Sequence, residues 1–339
     1  MKAKQENIVN NDRHNLVDVI PLRTPYSMFI DVCNACNFKC KFCAIQYSKR
    51  RLTFPKISMK YDDYVKVIDD ICGFGTPLKM LRLTANGEPL INKDLPQMIE
   101  YAKRRKVTEH IEIVTNASLL THEMSLALIN AGLDRIRISI EAIDAQGYYD
   151  ISGVRLDWKK FVEEIRFFYD NRKQCEVYIK TVDAAIKSKQ DEELFYKEFG
   201  DICDRIFVEH VIPIWTGYEE INDDFKIENV GLHGHEVKDV KVCPFPFYSF
   251  VVNPDGEITV CCNDWERKIS MGNAFEESVV DVWRGDRYRK FLMGMIKNGR
   301  KRNHPQGCAK CLLIIPELSE PPVRTLGATI PENESRLFR

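Results

Sequence analysis

Net charge of either sign is nearly absent from this sequence: 49 Lys and Arg stand against 50 Asp and Glu in 339 residues. A global basic field for gripping nucleic acid is therefore excluded. Long apolar runs are also missing; none reaches the roughly 18 residues a membrane helix requires. The opening stretch, MKAKQENIVNNDRHNLVDVI, is polar and charged and lacks the apolar core of a signal peptide. No internal repeat is visible. These absences lead to the expectation of a soluble, cytoplasmic protein with neither nucleic acid nor membrane as partner. Apolar residues are not scarce, at 44% of the chain, so one large domain and a smaller one can each bury a core.

What the chain has in excess is cysteine, with 12 residues. In a reducing compartment, clustered cysteines more often bind metal or do chemistry than form disulfides. Two groups stand apart: Cys33, Cys36, Cys40 and Cys43 near the start, and Cys243, Cys261, Cys262, Cys308 and Cys311 near the end. Cys72, Cys175 and Cys203 are scattered, as ordinary buried thiols are.

Between the two groups, short β-rich runs alternate with amphipathic stretches. The runs are Met28–Val32, Leu78–Leu83, Ile111–Val114, Arg135–Ile140, Val177–Val182 and Ile206–Ile212. Helices are expected over Tyr61–Ile71 after an N-cap at Ser58, Asp94–Arg105, Thr121–Asn130, Asp157–Asn171 and Asp191–Phe199. Six strands alternating with helices indicate a parallel α/β architecture, whose ligand sites gather at the carboxyl ends of the strands. Beyond a loop at GLHGHE, Phe247–Val252 and Glu257–Val260 flank the hairpin signal Asn253-Pro254-Asp255-Gly256, and Ser278–Ile296 reads as one helix. The expected division is a lead-in over 1–26, a core over 27–235, a small metal-dependent module over 236–315 and a Pro- and charge-rich tail over 316–339.

Cys36, Cys40 and Cys43 have the spacing C-x3-C-x2-C, directly after the first strand. Three thiolates from one short loop can hold three irons of a 4Fe–4S cube and leave the fourth open. Electron transfer alone would favour four protein ligands, and so would structural zinc, for which Cys33 is the available fourth. The motif, with Phe42 before its third cysteine, resembles the signature of the radical S-adenosylmethionine (radical SAM) superfamily. The resemblance implies a partial (β/α)6 TIM-like barrel. It also implies that S-adenosylmethionine (AdoMet) chelates the open iron. An electron, supplied by a donor such as flavodoxin or ferredoxin, then releases a 5′-deoxyadenosyl radical that removes hydrogen from substrate.

Further positions carry the resemblance. Asn86-Gly87-Glu88 resembles the family's GGE segment at the methionine ammonium, with Asn86 in place of its first Gly. Thr115-Asn116 is similar to its TNG/TNA segment, and Ser139-Ile140-Glu141 to its Ser-x-Asp/Glu. Val211-Ile212-Pro213 is similar to the apolar segment on adenine. Many relatives carry an arginine near position 152 for the AdoMet carboxylate; Ser152 stands here, and Arg155 or Lys180 is the expected substitute.

Cys243, Cys261, Cys308 and Cys311 form C-x17-C-x46-C-x2-C and resemble the SPASM or Twitch auxiliary domain. That resemblance implies a second, fully ligated 4Fe–4S cluster. Cys262 is read as a bystander, since adjacent residues point apart in a strand. A cluster without an open iron suits electron transfer, so the expected reaction is oxidation of a carbohydrate-type alcohol, including a nucleotide sugar. About 25 residues precede the first strand, too few for a peptide-recognition domain, which favours a small sugar-like substrate. Peptide or protein maturation of the sulfatase-maturase kind is the alternative, as is a radical epimerase using a spare thiol (Cys33, Cys72, Cys175, Cys203 or Cys262). From another class stands a non-catalytic zinc-binding interaction protein. Glu209, His210 and Trp215 are the expected substrate contacts, with no general base identified.

Overall fold

The computed structural model describes residues 1–6, 16–43, 55–211 and 242–302. Within them, strands β1 (Ser27–Ile30), β2 (Leu78–Arg82), β3 (Thr108–Thr115), β4 (Arg135–Ile140), β5 (Glu176–Val182) and β6 (Arg205–Glu209) alternate with helices. The helices are α1 (Tyr61–Ile71), α2 (Leu95–Arg105), α3 (His122–Asn130), α4 (Ala145–Ser152), α5 (Trp158–Asn171) and α6 (Lys189–Phe199). Consecutive strands pair in parallel, as a chain of right-sized crossover helices requires. The six strands and their order agree with the expectation; α4 was missed because its eight residues, AQGYYDIS, lack an apolar period.

Helix starts follow the hydroxyl and carboxylate caps. Thr121 Oγ1 accepts from Met124 N at 3.1 Å, Asp144 Oδ1 from Gly147 N at 2.7 Å, and Ser188 Oγ from Asp191 N at 3.2 Å. The expected Ser58 cap is a correction. Helix α1 starts after Lys60 without a side-chain cap, and Ser58 Oγ donates instead to Cys33 Sγ at 3.4 Å.

The C-terminal segment does not stand apart from this sheet. Strand β7 (Ser249–Val252) pairs in parallel with the other edge of β1, and β8 (Glu257–Thr259) and β9 (Ser270–Asn273) follow in antiparallel fashion. One open nine-stranded sheet results, in the order β6-β5-β4-β3-β2-β1-β7-β8-β9. The helix expected over Ser278–Ile296 is two helices, α7 (Val279–Arg284) and α8 (Asp286–Arg302), broken at Gly285. A Cβ there would meet Asp281 O at 2.6 Å.

The two faces of the sheet differ in chemistry. On β4, Ile136, Ile138 and Ile140 are buried in the main apolar core that the helices cover, while Arg135, Arg137 and Ser139 alternate onto the opposite face. That face carries a register row of directly opposed residues, Val251, Phe29, Arg82, Glu112, Arg135 and Glu176, running from β7 to β5. Charge alternates along it: Arg135 Nη1 pairs with Glu112 Oε2 at 3.3 Å and Arg135 Nε with Glu176 Oε2 at 2.7 Å, while Arg82 pairs with Glu112 Oε1. The outer edge is finished by the first residues of the chain. Lys4 bridges Arg205, with Lys4 N donating to Asp204 O at 3.0 Å and Ile206 N to Lys4 O at 3.0 Å.

Asp70, on α1, holds the start of α7: its carboxylate accepts from Ser278 Oγ at 2.9 Å and from Val279 N at 2.5 Å. Asp70→Ala removes a cap and a link between the two ends of the chain at once. It should destabilise the fold by about 2 kcal/mol, seen as a lower urea midpoint with an unchanged slope.

Candidate functional site

The loop after β1 carries Cys36, Cys40 and Cys43. It is held from two sides by backbone hydrogen bonds. Lys39 N donates to Ser152 O at 2.9 Å and Lys41 N to Ile151 O at 3.0 Å, so α4 fastens it from one side. Glu88 N donates to Ala35 O at 2.8 Å from the loop after β2. Gly87 makes this approach possible, because a Cβ there would lie 2.0 Å from Cys33 O and 2.5 Å from Ala35 O. Ser152 is thereby placed: it is buried and closes α4, its Oγ donating to Tyr148 O at 2.6 Å.

Neighbouring thiols raise the ionisation cost of Cys36 and Cys40. Burial pushes the Cys36 thiol up to about 12, with Glu88, Cys43 and Glu141 adding to it, and Cys40 is pushed up by burial and by Glu141, Cys43 and Cys36. Donors already face the Cys36 sulfur: Phe38 N at 3.4 Å and Asn116 Nδ2 at 3.9 Å. A patch of mutually repelling thiolates with N–H donors around it fits coordination by iron, which supplies the missing positive charge. Phe42, half-buried, packs against the core beside them.

The sequence-predicted AdoMet residues converge around this loop. Glu88 is buried, and its carboxylate accepts from Thr115 Oγ1 at 2.6 Å, Leu90 N at 3.0 Å and Asn116 N at 2.8 Å. It thus ties the ends of β2 and β3 together. Burial raises it to about 7 despite those donors. Asn116 donates to Asn37 Oδ1 at 3.0 Å, linking the end of β3 to the cysteine loop. Glu141 is buried just past β4 and raised to about 7 by desolvation, partly relieved by Lys180 and by the Cys40 thiol. Ser139 opposes Lys180 in register. Lys180 Nζ lies 2.5 Å from Glu209 Oε2, and Arg137 Nη2 lies 3.3 Å from Glu209 Oε1. Glu209 is therefore locked between two cations. Arg155, exposed, stacks on the Tyr149 ring at 4.6 Å. His210 pairs through Nδ1 with Asp183 Oδ2 rather than with Glu209. Ile212, Pro213, Trp215, Cys308 and Cys311 lie outside the described residues.

Cys243, Cys261 and Cys262 border a small apolar cluster of Phe29, Phe245 and Val251, together with Ala85 and Tyr248. Since Phe29 belongs to the charged row, Cys243, Cys261 and Cys262 sit on the same sheet face as Arg82. The reading of Cys262 as pointing away needs correction. Strand β8 ends at Thr259, so strand alternation does not govern the next residues, and Cys261 and Cys262 both border the same apolar cluster. The sequence reading also missed Asp31, Arg82 and Arg137; the R-I-R-I-S-I alternation of β4 was the available signal for the last.

Residues 30–182 match the radical SAM superfamily. The chain carries a radical SAM domain. Residues 243–312 match SPASM, an iron–sulfur cluster-binding domain. A tungsten-containing aldehyde ferredoxin oxidoreductase cofactor-modifying protein from Pyrococcus furiosus is 26% identical over 302 residues, covering 78% of this chain and 82% of that one. Among solved structures, BtrN in complex with AdoMet and 2-DOIA has the same fold at a TM-score of 0.55 and 17% identity, over 85% of this chain and 92% of BtrN. Streptococcus suis SuiB bound to precursor peptide SuiA has it at 0.61 and 17%, over 92% of this chain and 78% of SuiB. This radical SAM enzyme accordingly uses AdoMet and a 4Fe–4S cluster, with further iron–sulfur in its SPASM domain. Among the described residues, no helix is long and apolar enough to cross a membrane.

Two outcomes follow from this geometry. Gly87→Ala should prevent the cysteine loop from seating, so the variant should take up little iron on anaerobic reconstitution. Asp31, Glu88 and Glu141 are all raised by burial, to about 6, 7 and 7. Folded protein then binds more protons than unfolded protein between about pH 4 and 7, and stability falls as pH rises through that window. Before reconstitution, the melting temperature should be higher at pH 6 than at pH 8.

Proposed function

We propose that this radical SAM enzyme oxidises a carbohydrate-type alcohol, with the SPASM cluster as electron acceptor. When bound, AdoMet and the first cluster supply a 5′-deoxyadenosyl radical that takes a hydrogen atom from substrate. Cys36, Cys40 and Cys43 hold the first cluster; Cys243, Cys261, Cys308 and Cys311 hold the second. Phe42, Asn86, Gly87, Glu88, Asn116, Ser139, Glu141, Lys180 and Ile212 form the AdoMet site. In this reading the core spans 27–235 and the auxiliary domain 236–315.

The observation that carries the reading is the placement of Cys243, Cys261 and Cys262 against the charged face of the sheet, beside β1, whose end launches the first cysteine loop. An electron left on a substrate over this face has an acceptor on the same face. The face itself is polar, with Arg82, Glu112, Arg137, Lys180 and Glu209, which suits a hydroxylated small molecule. The fold alone does not select a substrate class, since BtrN is bound to 2-DOIA and SuiB to a peptide.

The test is anaerobic reconstitution with iron and sulfide, reduction in the presence of AdoMet, and assay of 5′-deoxyadenosine and carbonyl product against 2-deoxy-scyllo-inosamine, myo-inositol and nucleotide sugars. Substrate-dependent carbonyl formation is expected, and its absence across the panel overturns the reading. Cys40→Ala should abolish AdoMet cleavage. Cys308→Ala should spare cleavage and block product; turnover in that variant would remove the electron-acceptor role.

A further inference from the structure

The alcohol-oxidation reading needs a group to take the hydroxyl proton, and none of the expected carboxylates is free to do so. Glu88 accepts three hydrogen bonds, Glu141 is shared between Lys180 and Cys40, and Glu209 is clamped by Lys180 and Arg137. Asp31 differs from all of them. It follows β1 directly, at the carboxyl end of a strand where such folds place their chemistry, and is 1% exposed. Its backbone continues the ladder, Asp31 N donating to Val252 O at 2.8 Å, so its side chain falls on the same face as Phe29, two residues earlier.

One carboxylate oxygen is engaged and the other is not. Oδ1 accepts from Ala85 N at 3.1 Å and from Asn86 N at 3.3 Å. Oδ2 is buried and has no hydrogen-bond partner among the described residues, and the same holds for Asn86 Oδ1 beside it. An asparagine could accept the two backbone N–H groups equally well, so the loop geometry does not require a carboxylate. Burying a carboxylate with an empty oxygen is unfavourable, and structure alone gives no return for it. The position is central as well: the Asp31 charge reaches Cys33 on the first cysteine loop and Cys262 on the second.

We propose that Asp31 Oδ2 is the catalytic base that takes the substrate hydroxyl proton, an inference that rests on the alcohol-oxidation reading above. The carbinol carbon gives its hydrogen atom to the AdoMet-derived radical. The O–H bond breaks and its proton goes to Asp31, leaving a carboxylic acid. The remaining electron passes to the oxidised auxiliary cluster as the C=O bond forms. Asn86 Oδ1 offers a second acceptor, so the ligand group seated here is a hydrogen-bond donor. Burial favours the protonated form of Asp31, raising it to about 6, which suits a group that must hold a proton near neutrality.

The test compares reconstituted wild-type protein with Asp31→Asn and Asp31→Glu, using the panel alcohol that wild type oxidises, deuterated at the carbinol carbon. Carbonyl product should fall at least about a hundredfold in Asp31→Asn, the lower end of what a general base contributes. The ratio of deuterated 5′-deoxyadenosine to carbonyl product should rise by a similar factor, because hydrogen abstraction does not need the base. Asp31→Glu should retain more product than Asp31→Asn. The melting temperature of Asp31→Asn at pH 8 should equal or exceed that of wild type. Product within about fivefold of wild type, an unchanged ratio, or a melting temperature several degrees lower each overturns the assignment. If wild type oxidises no panel alcohol, the substrate reading falls and takes this inference with it. If wild type and Asp31→Asn both do, only the base is wrong.

Discussion

Strand β1 is the constraint on which the rest of the molecule hangs. It is four residues long, and both of its edges are paired in parallel, to β2 and to β7. Because it pairs with β2 on one side and β7 on the other, the loop of Cys36, Cys40 and Cys43 and the residues Cys243, Cys261 and Cys262 border one sheet. Their separation is then set by strand spacing, which a packed sheet holds nearly constant.

The second organising element is the polar face. Isolated buried charges are unfavourable, but a row in which each charge opposes its opposite across a strand pair compensates most of that penalty. Glu112 illustrates it: nearly fully buried, it is nonetheless held below the usual carboxylate range by Arg82, Arg137 and Arg135, whose attraction outweighs desolvation. Asp31 is the counterexample on the same face, raised because two backbone N–H groups, the charge of Arg267 and the Asn86 side chain do not offset its burial. The contrast separates carboxylates that hold the floor together from one that is left unmatched.

Much of this was legible in the residues. Periodicity gave all six parallel strands within a few residues, and hydroxyl or carboxylate caps such as Thr121 and Asp157 gave the helix starts. The cysteine spacing and Asn86-Gly87-Glu88 named the loops that meet. What was hidden is whatever depends on pairing across distance. Nothing local says that Ser249 lies beside Ser27, so the single sheet could not be read from the chain. Ser58 looked like a cap but serves Cys33, since a hydroxyl near a helix start carries no label for its acceptor. Asp31 carried no motif; only its empty oxygen, visible once the neighbours are placed, sets it apart.

An open sheet normally leaves a ladder of unpaired amides along its last strand. Here Lys4 lies against Arg205 and exchanges backbone hydrogen bonds with the residues on either side of it. Those few residues act as a selvedge, denying a stray β-segment from another chain part of the rim of β6. Fusion of a bulky partner to the first methionine would tug at that hem, with sticking between molecules as the symptom to watch for.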